Sequence, residues 1–515
     1  MGDGQILPGL TCSVGEGHQA DPMMERCEGD KPRPRFEMIN REQLVMRTID
    51  VEQLVDQEHP VKAIWEFVGR LDLTGFSEAI RAVEGGRGRP TYEPRLMISL
   101  WIYSYSRGVG KAREIARLCE SDPAYQWLTG MKVVNYHSLS DFRVSHQEAL
   151  DKLFVEILAV LTMEGLIALE RVMHDGTKIK ASASPHSFRK KKTIEEHLEM
   201  ARGHVKEVEA QTEEQGSRRK AEGQRRAAVE KQRRMEAALE EFKKIRTSKS
   251  KKKEGRVSES EPEARFMKQN DKGFAPSYNL QMSTDRLFGI IVGAGLSQSP
   301  SDSDELIPGM NRVNENCGKL PEQAVTDGAY ATENNIHAMQ ELGIDLISPA
   351  AYTDAQLTAS GIGPAFSRQA FSYNESTNRY TCPQGKILIY KGKERRGDRV
   401  RYRYRARAAD CESCICKQQC CPKGMQRSVV RLEHEVEVVN HKTKMETDEA
   451  KGIYKQRGPT AEFPNAWIKE KLGLIRFHVR GLMKARLEAI WVCATYNIQQ
   501  WIRLRWKPQL IQAKT

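Results

Sequence analysis

The sequence predicts an α/β protein built on a mixed β-sheet with flanking helices. An all-helical N-terminal region precedes the sheet, and a helical hairpin and a β-rich insertion interrupt it. Three observations predict this. Pro321 to Tyr330 reads as a short buried strand ending at Asp327, with Gly328 for a sharp exit and Thr332 placed to cap a helix. Glu170 to Lys180 reads as a second strand, carrying Asp175 beside Gly176. Leu287 to Ala294 is a nearly continuous apolar run, as in a strand covered on both faces.

At 515 residues, a prior of about 150 per domain gives roughly three domains. Lys and Arg number 81 against 69 Asp and Glu, a net charge of +12, which favours a polyanionic partner, nucleic acid before membrane. No basic segment followed by an apolar run opens the chain, so no secretory signal is expected. Leu287 to Leu296 is too short to span a bilayer. Eleven cysteines, five of them clustered, do not read as a disulfide framework. The expected setting is reducing and cytoplasmic, with the nucleoid.

Residues 1–40 are rich in Gly, Pro and charge and are expected to be a disordered tail. Residues 41–165 read as a helical DNA-binding domain. Pro60 to Val68 shows helical spacing with proline in the first turn, and Gly85 to Pro90 is a breaker. Leu96 to Tyr103 and Ala112 to Cys119, joined through Arg107-Gly108-Val109-Gly110, suit a helix-turn-helix, and Asp122-Pro123 opens a third segment. Lys111, Arg113 and Arg117 are placed for DNA phosphates; the alternative is a helical bundle with a solvated basic face. His137 to about Leu161 is expected as one further helix.

Residues 166–350 read as the first part of the sheet domain, with 186–255 inserted as a helical hairpin. Thr193-Ile194-Glu195-Glu196 has the form of a capping box. Ile194, Leu198, Ala201, Val205 and Val208 make a packed seam, answered by Val229, Met235, Leu239 and Phe242. Glu213 to Ser217 is the expected turn, and Lys249 to Gly255 a basic loop of the solvated kind that touches phosphates non-specifically. Ser277 to Thr284 alternates, Asp285-Arg286 is the expected turn, a helix starts near Ser303, and Gly343 to Pro349 is a last buried strand. Strand, strand, strand, helix, strand, helix, strand is the order of an RNase H-like core.

Asp175 and Asp327 would then lie on neighbouring strands and repel each other unless a cation intervenes. Hard oxygen ligands suit Mg²⁺, with Mn²⁺ a substitute. Two such ions about 3.5–4 Å apart serve phosphodiester cleavage and transfer. A third carboxylate from a C-terminal helix completes the set. Glu462 is the best candidate, sharing a helix face with Ala466 and Lys469, and Glu470 and Glu488 are its rivals. Tyr454, Arg457 and Lys469 are placed to hold phosphates. Each acid taken alone reads equally as a turn former or a solvated side chain.

Residues 351–451 read as a β-rich insertion. Arg399 to Arg407 alternates, putting Arg401, Arg403 and Arg405 on one strand face as a phosphate-tracking stripe; the alternative is a solvated face. Cys382, Cys411, Cys414, Cys416, Cys420 and Cys421 are candidates for structural Zn²⁺, against buried inert thiols. Residues 452–515 return to the core as C-terminal helices, the last expected to be long and amphipathic from Arg480 to Trp506.

The chain resembles the DDE transposases of bacterial insertion sequences over about residues 40–505. The motifs are Tyr92-Glu93-Pro94-Arg95, Leu139 to Arg143, Asp175 to Ala181, Ala264 to Lys268, Tyr278 to Gln281, Thr326 to Tyr330, and Arg457, Glu462, Lys469, Arg476 and Arg480-Gly481. The last group is similar to a Tyr-Arg-Glu-Lys signature, with four residues between Arg457 and Glu462 where the signature has three. The resemblance implies that Asp175, Asp327 and Glu462 bind two Mg²⁺ ions and perform strand cleavage and transfer. It also implies double-stranded DNA partners, the element's terminal inverted repeats and the target, and a homo-oligomer. Two alternatives are a catalytically inactive DNA-binding descendant and an RNase H-like nuclease.

Overall fold

Arg171 to Ile347 supplies one mixed sheet, and described helices of Asp50–Thr515 pack on its faces. The computed structural model describes residues 48–78, 90–214, 218–245, 255–349, 361–396 and 399–512, together with 41, 42, 44 and 46. The expected tail and, for the most part, the Gly85 breaker, the hairpin turn and the basic loop lie outside the described residues. The chain divides into residues 1–49 and Asp50–Thr515, and all the described helices and strands belong to the second unit.

The N-terminal helices are α1 (Pro60–Val68), α2 (Thr74–Ser77), α3 (Pro94–Ser106), α4 (Ala112–Ser121), α5 (Pro123–Thr129), α6 (Tyr136–Ser145) and α7 (Gln147–Met163). The single helix expected from His137 is two, because His146 leaves helical geometry at φ −111° and ψ 58°. Asn135 caps α6 by accepting from the His137 amide. α3 is buried continuously from Met97 to Tyr105.

The sheet strands are β1 (Arg171–Lys180), β4 (Arg265–Lys268), β5 (Phe274–Asp285), β6 (Ile291–Ser297), β7 (Gln323–Val325) and β8 (Asp345–Ile347). β1 is central. It runs antiparallel to β5 and parallel to β7; β5 also pairs with β4 and β6, and β7 with β8. The turn expected at Asp285 falls later. Asp285 closes β5, buried, and its Oδ2 accepts from the Leu169 amide at 2.8 Å, which holds it in the sheet. The reversal therefore occupies 286–290, with Gly289 at φ 71°, and Leu287 is half exposed.

Between β1 and β4, the short strands β2 (Phe188–Arg189) and β3 (Val257–Ser258) pair at the base of a helical hairpin, α8 (Lys191–Glu214) and α9 (Arg218–Lys244). Ile194, Leu198, Ala201 and Val208 are buried as the spacing predicts. Two details differ. α8 begins at Lys191, so Thr193 lies inside it and does not cap it. Val229 is 44% exposed, and its neighbour Ala228 takes the buried position.

α10 (Leu306–Cys317) covers one face of the sheet. A Cβ on Gly309 would lie 2.3 Å from the His174 ring, so only glycine allows this approach. α11 (Glu333–Glu341) follows β7, capped by Thr332 as expected. A second sheet, in the order β13-β12-β11-β10-β9, comprises β9 (Ser372–Asn374), β10 (Arg379–Thr381), β11 (Ile387–Arg396), β12 (Arg399–Ala406) and β13 (Ser428–Leu432). α12 (Ala408–Glu412) and α13 (Lys417–Cys420) lie between its last strands.

The chain returns through α14 (Glu435–Glu446), α15 (Asp448–Lys455), α16 (Arg457–Glu470), α17 (Leu482–Trp501) and α18 (Lys507–Gln512). The last long helix is not amphipathic. Every residue of α17 from Leu487 to Ile498 is buried, because α17 lies between β6 on one side and α3 and α7 on the other. A helix covered all round needs no polar face.

Candidate active site

Asp175 lies in mid-β1, opposite Met282 of β5. Its side chain is 17% exposed and points to the face covered by α16. Arg457 Nη2 stands 3.1 Å from Asp175 Oδ1, and Asn465 Nδ2 donates to Oδ2 at 3.1 Å. These two helical residues are eight apart, on one face of α16 with buried Ala461 between them. Burial pushes the Asp175 carboxyl up to about 6; Arg457 and the Gly176 amide oppose the shift, and the fields of Asp327 and Asp302 add to it. Lys469, on the same helix, has its ammonium lowered by burial and partly restored by Asp175.

Asp327 lies two residues past the end of β7, which runs parallel to β1, so its carboxylate leaves the sheet beside the strand that carries Asp175. Its Oδ1 accepts from the Ala329 amide at 2.8 Å, an Asx turn, and its carbonyl accepts from Ser348 Oγ at 2.7 Å. Gly328 serves by its size rather than its φ, since a Cβ there would meet the Pro349 carbonyl at 3.1 Å.

The three rival acids separate. Glu462 is on α16, exposed, on the flank beside the Arg457–Asn465 face, and Glu462, Asp175 and Asp327 do not bring ligand atoms all within 4.8 Å of one another. Glu470 is exposed at the end of the same helix. Glu488 is fully buried on α17, where it accepts from the His478 amide at 2.9 Å and from Tyr105 Oη at 3.3 Å. It also lies 2.7 Å from His478 Nδ1 and 3.6 Å from Arg143. Tyr454 is half-buried, packed beside Met173, Val325 and Ala461.

Sequence reasoning missed Asn465 and a polar network on the opposite face of β1. Asp302 Oδ1 accepts from Lys178 Nζ at 2.8 Å, Asn279 Nδ2 at 2.6 Å and Gln281 Nε2 at 2.7 Å. Tyr330 Oη donates to Gln281 Oε1 at 2.6 Å. Gly176 makes room, since a Cβ there would lie 2.6 Å from Asp302. The available signal was alternation, because Lys178, Asn279 and Gln281 share the face opposite Asp175.

Arg113 and Arg117 are exposed on α4, Arg113 with its guanidinium 5.0 Å from the Tyr136 ring. On β12, Arg401, Arg403 and Arg405 alternate with buried Tyr404 and Ala406, and all three are half-buried. Arg403 pairs with Glu394 at 2.7 Å. Cys382, Cys411, Cys414, Cys416, Cys420 and Cys421 line one small pocket with Leu388 and Arg427. The Lys386 amide donates to Cys382 Sγ at 3.2 Å and the Arg427 amide to Cys411 Sγ at 3.4 Å. Burial raises the Cys420 thiol to about 11, and neighbouring Cys421, Cys411 and Cys382 add to the shift. Among the described residues, no three of these sulfurs lie within 4.8 Å of one another. No described helix is long and apolar enough to cross a membrane.

Two family matches bear on this arrangement. Residues 381–502 match the transposase DDE domain family, from β10 through α17 and so including α16. Residues 49–145 match a second family, described as transposase domain (DUF772), across α1 to α6. No curated protein and no solved structure matches the chain. Transposase families thus match both the N-terminal helices and the segment that carries α16, which supports a DDE transposase of the insertion-sequence type, while Asp175 and Asp327 lie between the two matched segments.

Proposed function

We propose that the chain cleaves phosphodiester bonds at the ends of an insertion sequence and joins them to target DNA. Asp175, Asp327 and Glu462 act as the ligands of two Mg²⁺ ions on an RNase H-like core. The observation that carries the reading is the pair Asp175 on β1 and Asp327 just past the end of the adjacent parallel strand β7, with α16 laid over Asp175. The strand order β6-β5-β1-β7-β8, with β1, β7 and β8 parallel, supports the core assignment.

The donor set fits hard divalent cations. Asp175 is held near 6 by burial and by Asp327 and Asp302, an opposition that a nearby cation relieves. Bound there, such a pair supplies Lewis-acid stabilisation of the attacking and leaving oxygens. The protein's own residues do the rest. Asn465 fixes the rotamer of Asp175. Arg457 neutralises Asp175 in the resting site and, once a cation takes over that role, is free to turn its guanidinium to a phosphate. Glu462 joins from the flank of α16 by rotation of its exposed side chain. Lys469 and Tyr454 hold the strand beside it. Arg113 and Arg117 on α4 and Arg401, Arg403 and Arg405 on β12 contact backbone phosphates, and the working unit is an oligomer on paired ends. Structural Zn²⁺ is assigned to four of the six cysteines, supported by their common pocket and the two amide-to-sulfur bonds, and binding it requires the sulfurs to draw together, since no three of them lie within 4.8 Å of one another.

The test is cleavage of a labelled duplex bearing the element's own end in Mg²⁺, comparing the parent with Asp327→Ala. Cleavage that requires the metal and disappears in the variant is expected. Tight end binding with no cleavage by the parent under any divalent metal would overturn the reading in favour of a DNA-binding descendant.

A further inference from the structure

We propose that His337, His434 and Glu437 form a site for a divalent transition-metal ion, zinc before others, that fastens α11 to α14. Neither the Asp175 site nor the cysteine pocket uses these residues.

His337 lies on α11, His434 immediately precedes α14, and Glu437 is in its first turn. His337 Nδ1 is 2.9 Å from Glu437 Oε2, and His434 Nδ1 is 3.5 Å from Glu437 Oε1. The two imidazoles are stacked with centroids 3.6 Å apart. One ligand atom from each of the three residues lies within 4.8 Å of the others, which holds for no other group of three His, Cys, Asp or Glu among the described residues. A tetrahedral ion with bonds of about 2.0–2.2 Å sets its ligands roughly 3.3–3.6 Å apart, close to the 2.9 and 3.5 Å between the imidazoles and the carboxylate, and the stacked rings, 16° apart, turn out of parallel to place the ion in both ring planes.

The donors select the ion. Two imidazole nitrogens and one carboxylate oxygen suit zinc and its neighbours, whereas Mg²⁺ prefers oxygen alone. Three protein ligands leave one position for water or a fourth group. A supporting contact is also built in: the His434 amide donates to Glu333 Oε1 at 2.9 Å, and Glu333 is one turn before His337 on α11. All three side chains are 23–34% exposed, so an ion has access.

The place gives the ion a task. α11 starts shortly after Asp327, and α14 leads through α15 to α16, which delivers Arg457 and Asn465 to Asp175. An ion here ties the helix behind one acid to the segment that brings in the helix over the other.

The test uses the full chain, stripped with EDTA and dialysed against zinc in Mg²⁺ buffer, with bound zinc counted by mass spectrometry. The parent is compared with the double variant His337→Gln, His434→Gln, with Glu437→Gln, and with Cys411→Ser, which reports the cysteine pocket separately. The histidine variant is expected to lose one equivalent and the zinc-induced rise in melting temperature, while Cys411→Ser keeps that equivalent. Glu437→Gln, which preserves an acceptor for the imidazoles, should weaken zinc binding by more than about tenfold. Parent-level zinc in both the histidine and the glutamate variants would overturn the proposal.

Discussion

Asn465 donates its side-chain amide to Asp175 at 3.1 Å, joining the middle of α16 to the central strand of the sheet. The residues are 290 apart in sequence. The carboxylate is thereby held from the side, while Arg457 holds its other oxygen.

Asp175 makes stability fall as pH rises. Its folded pKa, near 6, is above the ordinary carboxyl value, so between about pH 4 and 6 the folded protein binds the proton that the unfolded chain releases. That contribution is full below about pH 4 and lost by about pH 7. Asp175→Asn removes it, so the variant's stability relative to the parent should rise by about 2–3 kcal/mol between about pH 4 and pH 7 in EDTA. Urea unfolding at the two pH values checks this, and a difference independent of pH would refute it.

Glu488 and Glu462 should part company. Glu488→Ala leaves Arg143 buried without its carboxylate and the His478 amide without its acceptor, at a cost of about 3–5 kcal/mol. Glu462 is exposed, so Glu462→Ala should leave the denaturation midpoint where it was while abolishing cleavage. The reverse pattern would make Glu488 the third acid.

Gly309→Ala should destabilise the protein by about 1–3 kcal/mol, because the new methyl meets the His174 ring and α10 must back away. Burial holds the His174 pKa down to about 3, so the ring is neutral and the loss should not depend on pH between about 5 and 8. A thermal melt at two pH values decides.

Arg401 and Arg405 give a test of the second sheet. Replacing both by Gln should weaken DNA binding at low salt and reduce the slope of log affinity against log salt by about 0.9 for each phosphate no longer neutralised. Arg403 already pairs with Glu394 and should contribute less. A parallel slope with the parent would leave the stripe a solvated face.

Local chemistry made much of the fold legible. The run ending at Asp327, the cap at Thr332 and the seam of α8 all depend on neighbours a few residues away, and each is found where the pattern puts it. The resemblance motifs at 92–95, 139–143 and 457–481 fall within the two matched transposase segments, and several of their residues are structural. Arg95 lies 4.0 Å over the Trp65 ring, and Arg143 donates to the Gly110 carbonyl at 2.7 Å in the core.

The sequence by itself determined the order of β1, β5, β6, β7 and β8 with α10 and α11 between the later ones, the two aspartates at neighbouring strands and the basic character, because periodicity, turn residues and charge are properties of short stretches, whereas β2, β3 and β4 are too short to announce themselves. Tertiary structure alone decided which side chains meet. Asp285 stays in its strand because the distant Leu169 amide needs an acceptor, and α17 is buried all round because two layers close on it. Glu488 is drawn into a buried cluster with Arg143 and Tyr105, while Asn465 reaches Asp175 and His337 meets His434. Each of these depends on a partner far along the chain, whose position is fixed only when the layers pack.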